Sequence, residues 1–373
     1  MRLVLIGDGE SPHLLKWARA LAQQKPAIEL WAASTRGFAP EFSFLLPEDR
    51  RLALNTRPAQ GGGNMAVLAQ LPRLGAWLKR VQPDWLHAHY LTSHGTLAWA
   101  AKRGWGLRAR IASSAWGSDI LVAPQQGWAY RWLTQKVLRE SSLCSSDSAH
   151  MSERMRELGA AEVMTFPFGL ESLPKQNARK NPWQFFANRG LEPIYQPQRV
   201  IDVFRGIAAR QPEARLIVAN DGSLRAELEA AVARAGLAER VQFVGRLDPS
   251  TQGRYYAQSR WYLSLPRSDS ASVSVLEAMA HECLPLLSDL PANHELLRLP
   301  PGAPRHGLIL PEDMGMGEGG AQDALLAAMQ DLTPTPEAAA AAGAANRAWV
   351  AEHAMFGPAV QRFVQRLREI QQE

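Results

Sequence analysis

Two acidic residues, Asp269 and Glu277, have seven residues between them and lie where a strand, a loop and a helix are predicted in succession. An apolar run that stops at Pro266 predicts a buried strand, and Ser272 occupies a favourable position to cap the following helix. No lysine or arginine lies three or four residues from either acid to neutralise it. Glu277 has apolar neighbours and so needs a polar partner. A solvated surface acid is the plainer interpretation of each, but the pair predicts a binding or catalytic pocket.

The backbone between the two acids is predicted to bind phosphate. The first N–H groups of a helix have no intrahelical acceptor and carry the positive end of the helix dipole, so they attract anions. The residues concerned are Ser270, Ala271, Ser272 and Val273. We therefore expect a phosphate-containing ligand beside the two carboxylates.

The overall composition is that of an ordinary globular protein. The chain has 373 residues, enough for two or three domains, and 46% of them are hydrophobic. Its two cysteines, Cys144 and Cys283, lie far apart in sequence, which argues against a disulfide framework or a cysteine metal cluster. No apolar run is long enough for a signal peptide or a membrane span. We expect a cytoplasmic protein.

The net charge of +5 favours contact with polyanions, but no long block of like charge selects nucleic acid, which is not expected as a partner. A predicted helix from Met65 to Val81 carries an apolar stripe beside Arg73, Lys79 and Arg80. That stripe fits either core packing or peripheral membrane association at the inner face of the cell membrane. Pro72 is expected to kink or split the helix.

The amino terminus predicts the opening of a doubly wound parallel sheet. An apolar strand over Leu3–Ile6 is followed by a predicted tight turn at Gly7–Gly9 and by an amphipathic helix near His13. The third glycine of a dinucleotide fingerprint is missing, so a dinucleotide cofactor is not expected. Residues 34–63 contain three prolines and the glycine run 61–63, and are predicted to be irregular.

Histidine, tryptophan and aspartate residues follow at two further strand ends. His87 and His89 alternate along a predicted strand, so their side chains point the same way. A third ligand at suitable spacing is missing, which favours hydrogen bonding over metal binding. Trp116 and Asp119 follow the next predicted strand, 110–114. Because carboxyl ends of parallel strands meet at one edge, we expect His89, Trp116 and Asp119 to converge.

The second half of the chain repeats the alternation of strands and helices. Residues 143–147 are predicted as the last strand of the first domain, and residues 183–187 as the first strand of the second. Arg189 follows that strand, where its guanidinium could reach a diphosphate. Gly222 and Arg246 follow two later predicted strands, and Arg246 fits a surface charge equally well.

These segments together resemble the retaining glycosyltransferases of the GT-B fold, family 4 (glycosyl transferases group 1) type. The resemblance rests on the spaced acids followed by Ala-Met-Ala, on His-Ala-His-Tyr, on Trp-Gly-Ser-Asp and on a Pro-Phe-Gly turn ending at Gly169. It implies two doubly wound Rossmann-like domains facing across a cleft. The expected boundaries are an acceptor-binding domain 1–170, a hinge 171–182, a donor-binding domain 183–355 and a terminal helix 356–373 that returns to the first domain.

The resemblance also implies roles for individual residues. Glu277 would hold the ribose hydroxyls of a nucleotide, Asp269 would contact the transferred sugar, and the amides of 270–273 would hold the diphosphate. Combined with the strand-end arguments, it extends the donor-binding set to Arg189, Gly169, Gly222 and Arg246. The acceptor-binding candidates are Gly9, His13 and Trp116, and the catalytic candidates are Asp119, His89 and Asp269.

The sequence departs from the family pattern at three positions. Asp269 stands where the family usually has Glu, Ile194 stands where it usually has a Lys, and Trp116 stands where many members have a His. The diphosphate charge is therefore expected to fall to Arg189 and helix N-termini, with Arg246 or Arg267 as additional bases. The sequence contains no Asp-x-Asp motif, so no metal is expected.

The expected activity is that of a hexosyltransferase-type glycosyltransferase of class EC 2.4. It would move a sugar from a nucleotide-diphosphate donor, UDP- or GDP-linked, to a hydroxyl of a glycan or lipid-linked acceptor with retained anomeric configuration. Bacterial envelope polysaccharide synthesis is the setting that the resemblance suggests. Two alternatives stay open: a nucleotide-sugar epimerase on the same fold, and a catalytically silent nucleotide-sugar-binding partner protein.

Overall fold

The computed structural model contains two units, each built around its own parallel sheet. The first unit comprises residues 1–166 and 356–373, and the second comprises residues 167–355. The predicted α/β class with two doubly wound sheets is confirmed. The residues that the structure describes are 1–57, 65–175, 179–298, 306–314 and 320–373.

The first sheet has seven parallel strands in the spatial order β3-β2-β1-β4-β5-β6-β7. The strands are β1 (Arg2–Gly9), β2 (Glu29–Phe38), β3 (Arg51–Ala53), β4 (Trp85–His89), β5 (Arg110–Ser114), β6 (Ser141–Ser146) and β7 (Val163–Thr165). The order reverses between β1 and β4, and ligands of such sheets bind beyond the carboxyl ends of the strands at this switch point.

The described residues of this unit form seven α-helices before the chain enters the second unit. They are α1 (Pro12–Ala22), α2 (Met65–Leu68), α3 (Leu71–Val81), α4 (Thr96–Trp105), α5 (Ser118–Leu121), α6 (Trp128–Glu140) and α7 (Ala149–Glu157). β1 is covered on both faces because its central run, Leu3–Ile6, is apolar throughout and fully buried. This burial fixes the position of the strand whose end reaches the switch point.

The second sheet has six parallel strands in the order β10-β9-β8-β11-β12-β13. They are β8 (Asn181–Ala187), β9 (Arg215–Ala219), β10 (Val241–Gly245), β11 (Ser259–Ser264), β12 (Leu284–Ser288) and β13 (Leu308–Leu310). The helices of this unit are α8 (Pro197–Arg210), α9 (Arg225–Arg234), α10 (Pro249–Gln258), α11 (Val273–Ala280), α12 (Pro291–Leu296), α13 (Gly320–Leu332) and α14 (Pro336–His353). Its switch point lies between β8 and β11.

The terminal helix α15 (Phe356–Gln372) belongs to the first unit. Phe356 and Phe363 pack edge-on against the buried ring of Trp17, with ring centroids 5.1 and 5.3 Å away. Arg366 forms an ion pair with Glu162, with 2.7 Å between the guanidinium and carboxylate atoms. These contacts attach the end of the chain to α1 and to the loop before β7.

Three local predictions for the first unit were wrong at the level of individual elements. β1 continues through Gly9, where a tight turn had been predicted. The segment 34–63 includes the end of β2 and all of β3, although its glycine run lies outside the described residues. The sheet ends with β7 and not with the strand predicted over 143–147. β3 and β7 have three residues each, too few for a periodic pattern to reveal.

The predicted helix 65–81 is divided into α2 and α3, and Pro72 lies in the first turn of α3. Its apolar side chains Leu74, Trp77 and Leu78 are buried in the core of the first unit. The interpretation of this stripe as a membrane-facing surface was therefore wrong. No helix within the described ranges has both the length and the apolar content needed to cross a membrane.

In the second unit, β8 begins at Asn181, inside the segment 171–182 that was predicted as a hinge. Residues 176–178 of that segment lie outside the described part of the chain.

Candidate active site

The switch point of the second sheet brings a cation and an anion together. Arg189 follows β8 and Asp269 follows β11, and these strands are neighbours in the sheet. The Arg189 Nη2 atom lies 2.7 Å from Asp269 Oδ2, and both side chains are only 19% exposed. Two of the predicted donor-site residues thus form a sheltered ion pair where a ligand would bind.

Three further contacts hold the guanidinium of Arg189. Its Nη1 atom donates to the hydroxyls of Ser272 and Ser274, and its Cζ atom lies 4.4 Å from the ring centroid of Tyr195. Burial disfavours the charge, but the Asp269 carboxylate and the nearby Tyr262, Tyr195 and Tyr256 together outweigh burial and raise the pKa of Arg189 above its ordinary value. Burial raises the pKa of Asp269, and Arg189 opposes that rise. The pair is mutually neutralising.

The start of α11 faces the same ion pair. Ser272 occupies the predicted cap position, with extended backbone at φ −68° and ψ 124°, but its hydroxyl does not cap the helix. It bonds instead to Arg189 and to the Ser274 hydroxyl, 2.9 Å away. The cap side chain therefore does not compete with an anionic ligand for the first amides of the helix. Ser270 and Ala271, which precede it, are buried.

Glu277 lies on α11 and is oriented by two donors from α10. The Tyr256 hydroxyl lies 3.1 Å from Glu277 Oε2, and the Gln252 side-chain amide donates to the same oxygen at 3.2 Å. Burial raises the pKa of Tyr256 well above its ordinary value, so the phenol stays protonated and can donate. The carboxylate is thus partly buried and held in one orientation.

A buried network of polar groups connects the acid to the arginine. The Tyr262 hydroxyl bonds to Asn188 Oδ1 at 2.6 Å and to Ser274 Oγ at 2.9 Å, while Asn188 Nδ2 donates to the Tyr256 hydroxyl at 2.8 Å. Asn188 directly follows β8, and the other residues come from β11, α10 and α11. None of them was predicted from the sequence as a site residue. The signal available was a tyrosine inside the apolar run before Pro266 and an asparagine directly before Arg189.

Gly222, Gly169 and Arg246 contribute loop approach, packing or surface charge, and their predicted contacts with the donor stay predictions. A Cβ atom on Gly222 would lie 2.4 Å from the carbonyl oxygen of Leu191, so this glycine permits the loop after β9 to approach the loop after β8. A Cβ on Gly169 would lie 1.7 Å from the Ala354 carbonyl oxygen, which gives Gly169 a packing role at the end of α14. Arg246 is exposed after β10, two strands away from β8.

Aromatic groups gather at the switch point of the first sheet. The indole N–H of Trp116 donates to His89 Nδ1 at 3.2 Å. The Trp116 ring lies 4.4 Å from that of His13 and is stacked with Tyr90 at 5.9 Å between centroids. Burial lowers the pKa of His89 well below its ordinary value, so the imidazole is neutral. With Nδ1 accepting, the hydrogen-bond pattern assigns the proton to Nε2.

Asp119 joins the two loops that follow β4 and β5. Its Oδ2 atom accepts the backbone N–H of Leu91 and its Oδ1 atom accepts that of Trp116, both at 2.9 Å. The side chain is buried, and burial raises its pKa. Because both oxygens of Asp119 accept backbone N–H groups, this predicted catalytic residue can position Trp116.

His94 was not identified from the sequence, and it binds the backbone carbonyl of His89. Its Nδ1–H donates to the His89 carbonyl oxygen at 2.6 Å, and its Nε2 pairs with the Thr35 hydroxyl at 3.0 Å. Burial lowers the pKa of His94 to about 4. Gly9, at the end of β1, donates its N–H to the Ser34 hydroxyl at 2.8 Å. A Cβ on Gly9 would lie 2.6 Å from the Gly37 carbonyl oxygen, so the two strands approach closely here.

Within the described ranges, no three His, Cys, Asp or Glu side chains are close enough to hold a metal ion together. The expectation that the reaction needs no metal stays a prediction.

Comparisons with known proteins agree with this architecture. Residues 8–169 match the family described as "Glycosyl transferase 4-like domain", and residues 171–301 match "Glycosyl transferases group 1". The two matches lie end to end and together span most of the chain. A search of curated proteins gave no match in sequence.

Solved structures resemble the chain over nearly its full length. HepE from Anabaena, in complex with UDP, has 14% identity and a TM-score of 0.74, with 99% of this chain and 100% of that chain covered. Sucrose-phosphate synthase from Thermosynechococcus elongatus has 16% identity and a TM-score of 0.78, with 99% of both chains covered. The lipopolysaccharide outer core galactosyltransferase WaaB has 14% identity and a TM-score of 0.68, with 98% and 99% covered. At such identities the likeness shows the fold.

The sheet orders, the sites at both switch points and these matches define a glycosyltransferase with the GT-B fold. The chain belongs to the glycosyltransferases that combine a glycosyl transferase 4-like domain, here residues 8–169, with a glycosyl transferases group 1 domain, here residues 171–301. The enzyme class predicted from the sequence, a hexosyltransferase of EC 2.4, is confirmed.

Proposed function

We propose that the protein transfers a sugar from a nucleoside diphosphate donor to an acceptor hydroxyl with retention of anomeric configuration. The observation that carries the proposal is the sheltered pair of Arg189 and Asp269 beside the start of α11, with Glu277 farther along the same helix. A cation, a row of amides and two acids are the groups that a nucleotide sugar needs around it.

The donor would be held by groups that already have fixed orientations. Glu277, aligned by Tyr256, accepts hydrogen bonds from the ribose hydroxyls. The diphosphate contacts Arg189 and the amides of 270–273, and it replaces Asp269 as the partner of the guanidinium. Asp269, released from the pair, then contacts the sugar. This exchange stabilises the departing diphosphate without ordering new groups during the reaction.

In the reaction itself, the acceptor oxygen forms a bond to the anomeric carbon while the bond from that carbon to the β-phosphate oxygen breaks. The acceptor proton leaves with the nucleoside diphosphate. Uridine is the base we propose first, because HepE was solved in complex with UDP and with UDP-glucose. A GDP-linked donor is the alternative.

The acceptor hydroxyl would bind in the first unit, at the ends of β1 and β4. Trp116 and His13 offer aromatic faces for a sugar ring, and the buried His89 holds the indole N–H of Trp116. We propose a glycan or lipid-linked acceptor in bacterial envelope synthesis, supported by the likeness to the lipopolysaccharide enzyme WaaB. Two buried free cysteines suit a cytoplasmic location.

The proposal is tested by incubating the protein with single UDP- and GDP-sugars, with and without a lipid-linked glycan fraction, and following nucleotide release and product anomers by NMR. The proposal expects acceptor-dependent release of UDP or GDP and a product with the donor's anomeric configuration. Inverted product would contradict retention, and donor isomerisation without acceptor would favour an epimerase. The Glu277→Gln variant is expected to raise the donor KM by roughly tenfold or more, through loss of a charged hydrogen bond to the ribose.

A further inference from the structure

The outer face of α6 carries two tryptophans with large exposed surfaces. Trp128 is 84% exposed and Trp132 is 52% exposed. They are one helical turn apart and therefore share a face. The ring of Trp132 contacts that of Trp99 of α4, with centroids 6.3 Å apart. Large exposed aromatic groups on a regular helix indicate a contact with something outside this chain.

The inner face of α6 attaches the second half of the helix to the unit and leaves its beginning exposed. Thr134, Val137 and Leu138 are buried against the unit and all lie in the second half of the helix. Residues 125–129, which lead into the helix and form its start, are all exposed. The beginning of α6 therefore projects from the unit with Trp128 on it.

The same outer face is basic. Residues at helical spacings of three, four, seven, eight and eleven from Trp128 complete it, and they are Arg131, Trp132, Gln135, Lys136 and Arg139. No acid is among them. Glu140, at the end of the helix, is paired with Arg103 of the neighbouring α4 at 2.5 Å. The face thus combines exposed indole rings with cations and leaves the local acid neutralised.

We propose that this face of α6 docks the protein on an anionic lipid bilayer. Indole rings favour the boundary between headgroups and acyl chains, while arginine and lysine are attracted to anionic headgroups. Apolar insertion and positive charge on one helix face fit a lipid surface. A protein partner would instead be expected to match the indoles with a shaped pocket, and a second copy would bring the same positive charge against itself.

The surface differs from the helix that sequence alone suggested, because the apolar stripe of α3 is buried in the core. It lies in the same unit as the candidate acceptor residues, and α6 follows Trp116 and Asp119 after the short helix α5. Docking through α6 would suit an acceptor carried by lipid. The docking itself is independent of the reaction proposed above.

The test uses the full chain and vesicles without any substrate. Wild type is mixed with vesicles of phosphatidylcholine alone, or of phosphatidylcholine with phosphatidylglycerol, and the bound fraction is measured by sedimentation at low and high salt. We expect binding to the anionic vesicles that weakens with salt. Trp128→Ala is expected to lower the partition coefficient by about tenfold, and the Trp128→Ala/Trp132→Ala double variant by more.

Phe44→Ala is the matched control, because Phe44 is an aromatic residue of the same unit with 89% exposure. It should bind vesicles as wild type does, and all variants should keep the wild-type melting temperature. Equal binding of wild type and the double variant, equal loss in Phe44→Ala, or no vesicle binding by wild type would each overturn the proposal. If the double variant changes its oligomeric state but binds vesicles as wild type does, the proposal is also overturned. The face would then be assigned to a protein contact.

Discussion

The substitution Asp269→Asn is expected to tighten nucleotide binding and to impair transfer. In the protein without ligand, the carboxylate of Asp269 lies 2.7 Å from the guanidinium of Arg189, with both side chains 19% exposed. If a diphosphate takes the place of that carboxylate, part of its binding energy is used to break the existing pair. The amide removes this competition and also removes the repulsion between carboxylate and phosphate.

The magnitude follows from the geometry of the pair. At this separation and an effective dielectric constant of about 20, the attraction is roughly 6 kcal/mol, an upper bound because the pair is partly hydrated. Recovery of a quarter to a half of it by the diphosphate would give about 1.5–3 kcal/mol, a gain of roughly 10- to 100-fold in affinity. Turnover should fall by about 100-fold, because the sugar loses a charged hydrogen-bond acceptor.

Isothermal titration with UDP and GDP measures the affinity, and nucleotide release in the presence of acceptor measures turnover. The control is Glu229→Gln, which removes one acid from another arginine pair of the same unit, Arg225 and Glu229 at 2.9 Å. This variant should leave affinity and turnover unchanged. Weaker or unchanged nucleotide binding in Asp269→Asn would refute the exchange of partners and leave the pair with a structural role only.

Gly169→Ala should lower the free energy of unfolding by about 3 kcal/mol, because its Cβ would lie 1.7 Å from the Ala354 carbonyl oxygen, and should leave nucleotide affinity unchanged. If Gly169→Ala instead loses nucleotide affinity while its stability stays normal, Gly169 belongs to the donor-binding site. Burial lowers the pKa of His87 to about 3 and of His94 to about 4, from 6.5. The unfolded chain therefore binds more protons than the folded chain below pH 6.5, so these two groups should lower stability by nearly 3 kcal/mol per pH unit between about pH 5.5 and about pH 4, and the lowered pKa of His89 adds to the fall. A flat melting temperature from pH 7 to about pH 5 would contradict this. Trp116→Phe keeps an aromatic ring but loses the indole N–H, so kcat should fall about tenfold with donor KM unchanged. A raised donor KM with unchanged kcat would be evidence against placing Trp116 in the acceptor site.

The elements that carry the donor site were predictable because their patterns are local. Pro266 ends a short apolar run, Ser272 precedes an apolar helix, and the spacing of Asp269 and Glu277 follows directly from the sequence. Such signals fix where a strand ends and where a helix begins. The switch-point positions of these ends follow once the alternation of strands and helices is recognised.

The contacts that orient the site were not predictable, since they join residues distant in sequence. Tyr256 reaches Glu277 from another helix, and Asn188 connects to both Tyr256 and Tyr262 across the sheet. The sequence likewise predicts an acid near a strand end at Asp119, but it cannot show that backbone amides occupy both carboxylate oxygens. The register of the strands and the approach of the loops that follow them decide which side chains pair.

Amphipathic patterns were ambiguous for a different reason. A stripe such as that of α3 is the same in sequence whether it faces a core or a lipid surface. Packing against its neighbours decides the outcome, and here Leu74 and Trp77 are buried. Conversely, Trp128 and Trp132 stand among polar residues with no continuous stripe, so their exposure became evident only in the folded unit.

A structure of the protein with UDP or GDP bound tests the central assignment most directly. We predict the ribose hydroxyls within hydrogen-bond distance of the Glu277 carboxylate, and the diphosphate beside the first amides of α11 with Arg189 turned from Asp269 towards it. A nucleotide bound elsewhere, or one bound here with the ion pair intact and Glu277 uninvolved, would contradict the account.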